Sequence, residues 1–383
     1  MRDRSGMCRG LLVGLLVALA ATLPAREGAA FETAARAAIL LDAETSHVLF
    51  SKNADEPIPP ASMSKLMTIY MVFERLKEGS LSLDDTFPVS EKAWRKGGSK
   101  MFVEVGDRVR VEDLLRGIIV QSGNDACIVV AEALAGTEEA FAERMTRRAH
   151  ELGLTATTLR NASGWPHPEH VMSVRDLATL AGIIIREFPE HYHYFSEVEF
   201  AYSGIKQQAR NPLLYREMGA DGLKTGHTED AGYSLTASAT RDGRRLILVV
   251  AGLERPGQRA SEAERLLDYG FREFDNYRLF TAGETVEQAD VWLGDQGSVP
   301  LVVQDDVVVT LSREARRELR VRVAYQGPIP APVANGAPLA QLEIAAPGIE
   351  PWEVPLVAGS EVQAASLLGR VTGALGYLIW GPS

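Results

Sequence analysis

The chain has 383 residues, of which 46% are apolar and 24% are charged. These values are typical of a soluble globular protein and argue against disordered, collagenous and multi-span membrane classes, while the length leaves room for two domains. The 51 acidic residues outnumber the 40 basic ones, and the net charge of -11 disfavours nucleic acid as a partner. The two cysteines, Cys8 and Cys127, are too few for a disulfide framework or a cysteine metal site.

The N-terminus has the pattern of a secretory signal. Residues 2–9 contain three arginines, residues 10–23 are almost entirely apolar or small, and residues 28–30 are small residues of the kind that a signal peptidase cuts. We therefore predict a signal peptide over residues 1–30. The apolar run is shorter than the ~20 residues of a spanning helix, and an uncleaved anchor is the alternative. Cleavage would leave Cys127 as the only cysteine, so no intramolecular disulfide is expected.

Strand and helix patterns alternate through residues 31–275, which we expect to form the first domain. Residues 36–51 read as two short strands around a turn-prone group at 42–45, and residues 232–240 and 245–252 read as a second hairpin. Because strands stand at both ends with helices between them, we predict an α/β sandwich whose sheet combines distant parts of the chain. The helical patterns lie at 62–79, 111–120, 125–135, 137–152, 173–187 and 260–274.

Residues 276–358 are predicted to form a small all-β second domain. Helical patterns end there, and short β-rich runs alternate with turns that contain glycine and proline. The runs lie at 291–293, 301–303, 307–311, 319–324, 339–345 and 352–357.

The C-terminal residues 359–383 are expected to carry an amphipathic helix that anchors the protein at a membrane. Over residues 366–380 the apolar side chains recur at helical spacing, and Trp380 is a residue that favours the membrane–water boundary. Arg370 and small neighbours interrupt the stretch, so it should lie in the interface and not span the bilayer. A terminal helix packed on its own domain is the alternative. The apolar stripe consists of Leu367, Leu368, Val371, Leu375, Leu378 and Ile379.

The sequence contains two copies of S-x-x-K. Ser62 and Lys65 stand at a predicted helix start, where positions i and i+3 share a face, so that a hydroxyl and an amine can meet. The pattern alone carries little weight, because about one copy arises by chance in a chain of this length. The second copy, from Ser203 to Lys206, contains Gly204, which disfavours the helix that would align the pair. Ser62 is therefore the candidate nucleophile.

Two further short motifs complete an ordered set. Ser122 and Asn124 form S-x-N between two helical patterns, where a turn can direct both side chains into a cleft, whereas residues 51–53 match S-x-N outside such a context. Residues 224–226 read K-T-G, which is expected by chance in only about one chain in ten. The order S-x-x-K, S-x-N, K-T-G is that of active-site serine penicillin-binding proteins and β-lactamases.

Four longer runs resemble the low-molecular-mass D-alanyl-D-alanine carboxypeptidases, a family of penicillin-binding proteins. The resemblance is strong over about residues 34–275 and looser over the β domain and the tail. It implies a serine β-lactamase/transpeptidase-like sandwich and an exported serine carboxypeptidase that removes the terminal D-Ala of peptidoglycan pentapeptide stems and is covalently inhibited by β-lactams. The runs are I-P-P-A-S-M-S-K-L-M-T, R-G-I-I-V-Q-S-G-N-D-A-C, N-A-S-G-W-P and D-G-L-K-T-G-H-T-E-D-A-G-Y-S-L-T-A-S-A.

The resemblance also implies a role for each matching residue. Ser62 would be the acylated nucleophile, Lys65 its general base, Ser122 a proton relay and Asn124 a side-chain contact to the substrate. The backbone N–H of Ser62 would form one half of the oxyanion hole.

The K-T-G region would bind the substrate. Lys224 and Thr225 would hold the terminal carboxylate, and the backbone N–H of His227 would complete the oxyanion hole. Gly226 would let the substrate approach the strand without a side chain in the way. Two arginines match positions near the carboxylate end of the cleft, and one of them could serve structure alone: Arg210 and Arg259.

The resemblance implies no cofactor and a periplasmic protein attached to the outer face of the cytoplasmic membrane. No metal is expected, because the histidine pairs at 167/170 and 191/193 lack an H-E-x-x-H or carboxylate pattern that would complete a site. Cys127 lies in an apolar helical pattern and is expected to be a small core residue.

Two other functions compete with this interpretation. A β-lactamase is disfavoured because no E-x-x-L-N element lies between Asn124 and Lys224. A non-catalytic wall-binding scaffold is disfavoured because it would not need an intact set of reactive side chains. Peptide transfer to an amine acceptor in place of water remains open at this stage.

Overall fold

The computed structural model describes residues 31–367. The predicted signal peptide at 1–30 and nearly all of the predicted tail helix at 366–380 lie outside the described residues. The described helices are α1 Lys65–Lys77, α2 Glu91–Arg95, α3 Val111–Ile119, α4 Asn124–Ala135, α5 Glu138–Glu151, α6 Val174–Glu187, α7 Pro189–Tyr192 and α8 Pro256–Glu273.

Strands occupy both ends of the first domain and nearly all of the second. Those of the first domain are β1 Ala37–Asp42, β2 Val48–Lys52, β3 Thr86–Pro88, β4 Arg108–Arg110, β5 Glu199–Tyr202, β6 Ile205–Gln208, β7 Ala220–Thr228, β8 Gly232–Arg241 and β9 Arg244–Leu253. Those of the second are β10 Phe274–Phe280, β11 Thr285–Trp292, β12 Ser298–Val303, β13 Val307–Ser312, β14 Arg320–Tyr325, β15 Ile329–Pro330, β16 Pro338–Ala345 and β17 Trp352–Ala358.

A five-stranded antiparallel sheet in the order β2-β1-β9-β8-β7 forms the centre of the first domain. Every residue of β1 is buried, and Ile39 pairs with Val249 of β9. Both predicted hairpins are present, and the second turns at Asp242 and Gly243, which have positive φ angles as two-residue hairpin turns require. The predicted sandwich with a sheet built from distant parts of the chain is confirmed.

Helices cover both faces of this sheet. Side chains along β9 point alternately to the two faces, so each face has apolar side chains to bury. Ile247 lies against α6 at Gly182, whereas the neighbouring Leu246 lies with Leu40 against α8 at Gly270. The α6 side holds the larger core, in which α1 and α4 are buried along most of their length. The helix that carries Lys65 is therefore fixed by packing on most sides.

The predicted helices agree with the structure to within a few residues at most boundaries. The largest difference is at α8, which begins at Pro256 and not near residue 260. Proline suits the first turn of a helix, and the Gln258 side chain accepts the Arg255 backbone N–H. The short elements α2, β3–β4 and β5–β6 carry too few residues for a recognisable period and were not predicted.

The second domain is all β, as predicted, apart from a short 3-10 turn at Ala315–Glu318. A six-stranded sheet runs in the order β14-β16-β17-β12-β11-β15, and β10 pairs with β13. The first strand begins at Phe274, directly after α8, and continues through residues that the sequence analysis left outside any strand. Asn276 on this strand donates a hydrogen bond to Asp42 of β1 at 3.1 Å, which ties the two domains together.

Residues 359–365 belong to the β domain, which corrects their assignment to the tail. Val362 is completely buried in the core of that domain and forms a bridge with Val333. Ala364 bridges to Gly294 in the same way. Alternation with exposed polar neighbours in this segment gave no strand pattern long enough to recognise. Within residues 31–367, the helices are all too short or too polar to cross a membrane.

Candidate active site

Ser62 and Lys65 meet at the start of α1, as their spacing predicts. A 3-10 turn, Ala61–Ser64, leads into α1, and Lys65 Nζ donates to Ser62 Oγ at 2.8 Å. Ala61 has a φ of +48°, a conformation that costs energy for a residue other than glycine and that turns the chain into this corner. The Lys65 side chain is wholly buried.

Two further acceptors hold the Lys65 amine. Its Nζ lies 2.8 Å from Asn124 Oδ1 and 2.5 Å from the Ser163 carbonyl oxygen. With Ser62 Oγ, these contacts use all three hydrogens of an ammonium group. A neutral amine has two hydrogens and a lone pair, so Asn124 and Ser163 can keep their bonds while the lone pair faces the Ser62 hydroxyl.

Ser163 was not identified from the sequence, although it lies within the N-A-S-G-W-P run. The chain reaches Lys65 there because Gly164 passes against the Ser62 turn. A Cβ atom on Gly164 would stand 1.9 Å from the Ala61 carbonyl oxygen, and its φ of +75° also favours glycine. The glycine of this run was therefore the available signal for a close backbone approach.

Burial sets the protonation of Lys65. Loss of hydration lowers the pKa of Lys65 to about 8, and the positive charges of Arg210 and Lys96 act in the same direction. With a pKa of about 8, roughly one molecule in eleven carries a neutral amine at pH 7, against about one in three thousand for an ordinary lysine.

Ser122 and Lys224 form a second hydroxyl–amine pair. Ser122 lies in the turn between α3 and α4 with a φ of +60°, and Lys224 Nζ on β7 donates to its Oγ at 3.0 Å. Both side chains are buried. Burial lowers the pKa of Lys224 well below its ordinary value, and repulsion from Lys65 and Arg210 adds to this. The turn between the two helices therefore brings the Ser122 hydroxyl to the Lys224 amine.

Asn124 connects Lys65 to a loop that precedes the site. Its Oδ1 accepts from Lys65, while its Nδ2 donates to the Gly97 carbonyl at 2.9 Å. Its backbone N–H donates to the Ser99 carbonyl at 2.7 Å. The loop at residues 97–103 therefore holds both the side chain and the backbone of Asn124.

The loop itself is held by Asp125, which the sequence analysis did not single out. This buried carboxylate accepts the backbone N–H groups of Met101, Phe102 and Val103 at 3.0, 2.9 and 3.3 Å. A buried carboxylate is stable there because several donors replace its hydration. Asp125 thus positions Asn124 indirectly, and its place directly after S-x-N was the available signal.

Gly226 has a different structural reason from the one expected. A Cβ atom on this residue would stand 2.8 Å from the Pro60 carbonyl oxygen and 3.1 Å from Met63 Cγ. The space beside Gly226 is filled by the turn that carries Ser62, so the glycine lets β7 pack against that turn. Thr225 next to it is buried.

The remaining predicted residues lie around the end of β7. His227 is exposed, and its ring stacks on that of Tyr233 with centroids 4.0 Å apart. Arg259 lies over the same Tyr233 ring, with its Cζ 5.3 Å from the ring centroid. Arg210 donates from Nη1 to Ser99 Oγ, on the loop beside Asn124. Burial lowers the pKa of both arginines.

Ser203 lies away from this constellation. It occupies the exposed turn between β5 and β6, and Lys206 forms an ion pair with Glu199 at 2.7 Å. Gly204 in this turn has a positive φ, so the segment does not form the helix that an aligned S-x-x-K needs.

Other reactive side chains are accounted for by packing. Cys127 is buried in α4, and burial raises the pKa of its thiol to about 12. His170 is buried and accepts from the Arg160 backbone N–H at 3.1 Å, while His191 packs on Phe73. Across residues 31–367, no group of three or more His, Cys, Asp or Glu side chains could hold a metal ion.

The site pairs a serine with a buried amine and a second hydroxyl with a second amine. Together with the sheet topology and the separate β domain, this defines the class of serine-type penicillin-binding proteins. The family model described as D-alanyl-D-alanine carboxypeptidase matches residues 23–254, and that of the penicillin-binding protein 5 C-terminal domain matches residues 274–364. The chain therefore belongs to the D-alanyl-D-alanine carboxypeptidase family and is a serine-type enzyme of that activity.

Individual relatives agree over nearly the whole chain. D-alanyl-D-alanine carboxypeptidase DacC of Escherichia coli is 37% identical over 383 residues, which covers 97% of this chain and 96% of that protein. A crystal structure of penicillin-binding protein 5 from Haemophilus influenzae is 34% identical with a TM-score of 0.79, covering 87% of this chain and 98% of the other. Penicillin-binding protein D2 of Listeria monocytogenes in its ampicillin-bound form is 31% identical with a TM-score of 0.58, covering 63% and 99%.

Replacing Asp125 by Asn should disorganise the 97–103 loop. The amide would present hydrogens toward backbone N–H groups and leave at least one of them without an acceptor, so we expect a loss of about 2–3 kcal/mol in the free energy of unfolding. Labelling by a fluorescent penicillin should slow as Asn124 loses its support. Chemical denaturation and labelling kinetics measure both effects. Glu104→Gln, a change at the exposed residue directly after this loop, is the control. Equal stability of the two variants would contradict this role of Asp125.

Proposed function

We propose that this enzyme is exported and removes the terminal D-Ala from peptidoglycan pentapeptide stems through an acyl-enzyme on Ser62. One observation carries the proposal: Lys65 Nζ lies 2.8 Å from Ser62 Oγ and is wholly buried, which favours its neutral form. A serine hydroxyl is a weak nucleophile, and a neutral amine within hydrogen-bond reach can activate it.

In the acylation step, Lys65 takes the proton of Ser62 as Oγ attacks the carbonyl carbon of the penultimate D-Ala. The carbonyl oxygen becomes an oxyanion, which the backbone N–H groups of Ser62 and His227 would stabilise. Collapse of this intermediate breaks the peptide bond. Lys65 then returns this proton to the leaving amine by way of the Ser122 hydroxyl, whose Oγ is hydrogen-bonded to Lys224. Free D-Ala departs, and Lys65 is neutral again for the second step.

In the second step, water attacks the ester carbonyl carbon and gives up a proton to Lys65. The ester bond breaks, Ser62 Oγ recovers a proton, and the shortened stem leaves with a new carboxylate. Asn124 and the Ser163 carbonyl keep Lys65 in place while it gains and loses a proton in each of the two steps. An amine in place of water would give peptide transfer by the same route.

The charge of the cleft supports recognition of a terminal carboxylate. Arg210 and Arg259 are close enough to Lys224 to lower its pKa further, after burial and Lys65, and Arg210 also lowers the pKa of Arg259. A bound carboxylate would relieve this repulsion and restore the charge of Lys224. Substrates that end in a free carboxylate should therefore bind better than the corresponding amides.

The decisive test uses a pentapeptide that ends in D-Ala-D-Ala. The wild-type protein should release one alanine, seen by mass spectrometry, and should form a covalent adduct with penicillin. Ser62→Ala should lower the rate at least about a thousandfold and abolish the adduct, because it removes the hydroxyl that is hydrogen-bonded to Lys65. Ser203→Ala is the matched control and should retain both activities. Penicillin labelling that is lost in Ser203→Ala and kept in Ser62→Ala would overturn the assignment.

The rate of acylation should rise with pH through an apparent pKa near 8. Lys65 acts in its neutral form, and the neutral fraction falls about tenfold for each pH unit below its lowered pKa of about 8. Lys65→Arg should lose at least about a hundredfold in rate, because a guanidinium does not deprotonate in this range. Stopped-flow kinetics with a chromogenic β-lactam provide the measurement. An arginine variant that keeps most of the wild-type rate would rule out the base role.

Residues 1–30 are proposed to direct export, and the stretch at 366–380 to attach the protein to the outer face of the cytoplasmic membrane. The first residue of the apolar stripe, Leu367, is 82% exposed and so is not packed on the β domain. Burying six aliphatic side chains, at roughly 1.5–3 kcal/mol each when complete, suffices for reversible attachment.

Truncation after Ser366 should release an active enzyme from membranes. It removes the apolar stripe and leaves Val362 in the core, whereas truncation after Gly359 would remove Val362 and lower the melting temperature. Sedimentation with vesicles and thermal unfolding separate the two effects. Detergent should release the full chain more readily than high salt, because Arg370 is the single cation among residues 366–380. Continued sedimentation of the Ser366 truncation would refute the anchor.

A further inference from the structure

A cavity of about 410 Å³ opens at the end of β7, next to the reactive site. His227 lines it, together with Thr228 at the end of the strand and the residues of the following turn. The stacked rings of His227 and Tyr233 form one wall. Because the backbone N–H of His227 is half of the proposed oxyanion hole, the cavity adjoins the position of the scissile carbonyl.

The order of residues along β7 shows which part of the substrate reaches this cavity. The terminal carboxylate is assigned to Lys224 and Thr225, and the scissile carbonyl to His227. A substrate that follows the strand in this direction continues past His227 with its acyl part. β7 ends at Thr228, one residue past His227, and the turn that follows lines the same cavity, within reach of a long side chain on the acyl side.

The cavity is negatively charged. Glu229, Asp230 and Glu254 line it and are exposed. Within residues 31–367, none of the three carboxylates has an ion-pair partner. The basic residue of the lining, Arg36, is engaged by Glu56. The cavity therefore offers carboxylates that a ligand could neutralise, beside a flat aromatic wall for an alkyl chain.

We propose that this cavity is a subsite for an ammonium-bearing side chain on the acyl side of the scissile bond. The alkyl stem would lie against the His227–Tyr233 rings, and the ammonium would lie among Glu229, Asp230 and Glu254. The inference rests on the proposed function and specifies its substrate class: stem peptides with a free side-chain amine are preferred over those in which this amine is acylated.

The test compares two peptides with the full chain: Nα-acetyl-L-lysyl-D-alanyl-D-alanine and its Nε-acetylated form. The two differ in the charge of one side chain. We expect kcat/KM to be about tenfold higher for the free amine, equivalent to about 1.4 kcal/mol. The triple variant E229Q/D230N/E254Q should lower this ratio to about threefold or less. Added salt should lower the wild-type ratio as well, because the three carboxylates are exposed.

The ratio within each variant is the readout, so a variant that folds less efficiently does not change it. The matched control is E287Q/D290N/E314Q, which removes the same charge from exposed positions of the β domain. Its ratio should stay near ten. A wild-type ratio near one, or a cavity variant that keeps the tenfold ratio, would overturn the inference and leave the proposed function intact. Release of alanine from neither peptide would instead contradict the proposed function, and the inference with it.

Discussion

Two lysine amines are buried together, and their loss of hydration is the constraint on which the site depends. Within residues 31–367, neither Lys65 nor Lys224 has a carboxylate among its hydrogen-bond partners; each is held by neutral oxygens. A carboxylate at either amine would raise its pKa and keep it protonated. The buried acid nearby, Asp125, is committed to backbone N–H groups instead. Neutral backbone and amide oxygens thus hold the Lys65 amine in place without raising its pKa, and the amine stays available as a base.

That arrangement requires three chain segments to approach the Ser62 turn without bulk. Gly164 passes the Ala61 carbonyl, Gly226 brings β7 against Pro60 and Met63, and the turn at Ser122 reaches in from between two helices. Ala61 and Ser122 have φ angles of +48° and +60°. Residues other than glycine keep such conformations only where the surroundings hold them, and both stand beside a reactive hydroxyl. Part of the backbone strain in residues 31–367 therefore lies where the chemistry takes place.

The sequence was informative wherever the signal was local. Helical period found α3 to α6, and the spacing of Ser62 and Lys65 anticipated their contact. Features that depend on contacts between distant segments escaped: the carbonyl of Ser163 has no side-chain signature, and Asp125 looks like any first-turn helix acid until its loop is seen. Gly226 was expected to admit the substrate, and its close contact with the Ser62 turn could not be read from the motif. Val362 was placed in the tail because a single buried residue in a short segment gives no pattern.

The order of strands in the sheet has a consequence for how the chain folds. The central strand, β9, is the last of the five in sequence, and Ile39 pairs with Val249, 210 positions further along the chain. Pairing across such a separation is slow, because closing a long loop costs entropy before any contact compensates for it. β1 consequently lacks its partner β9 until nearly the whole first domain has been synthesised. The sheet of the first domain is therefore completed only after its last strand in sequence has been synthesised.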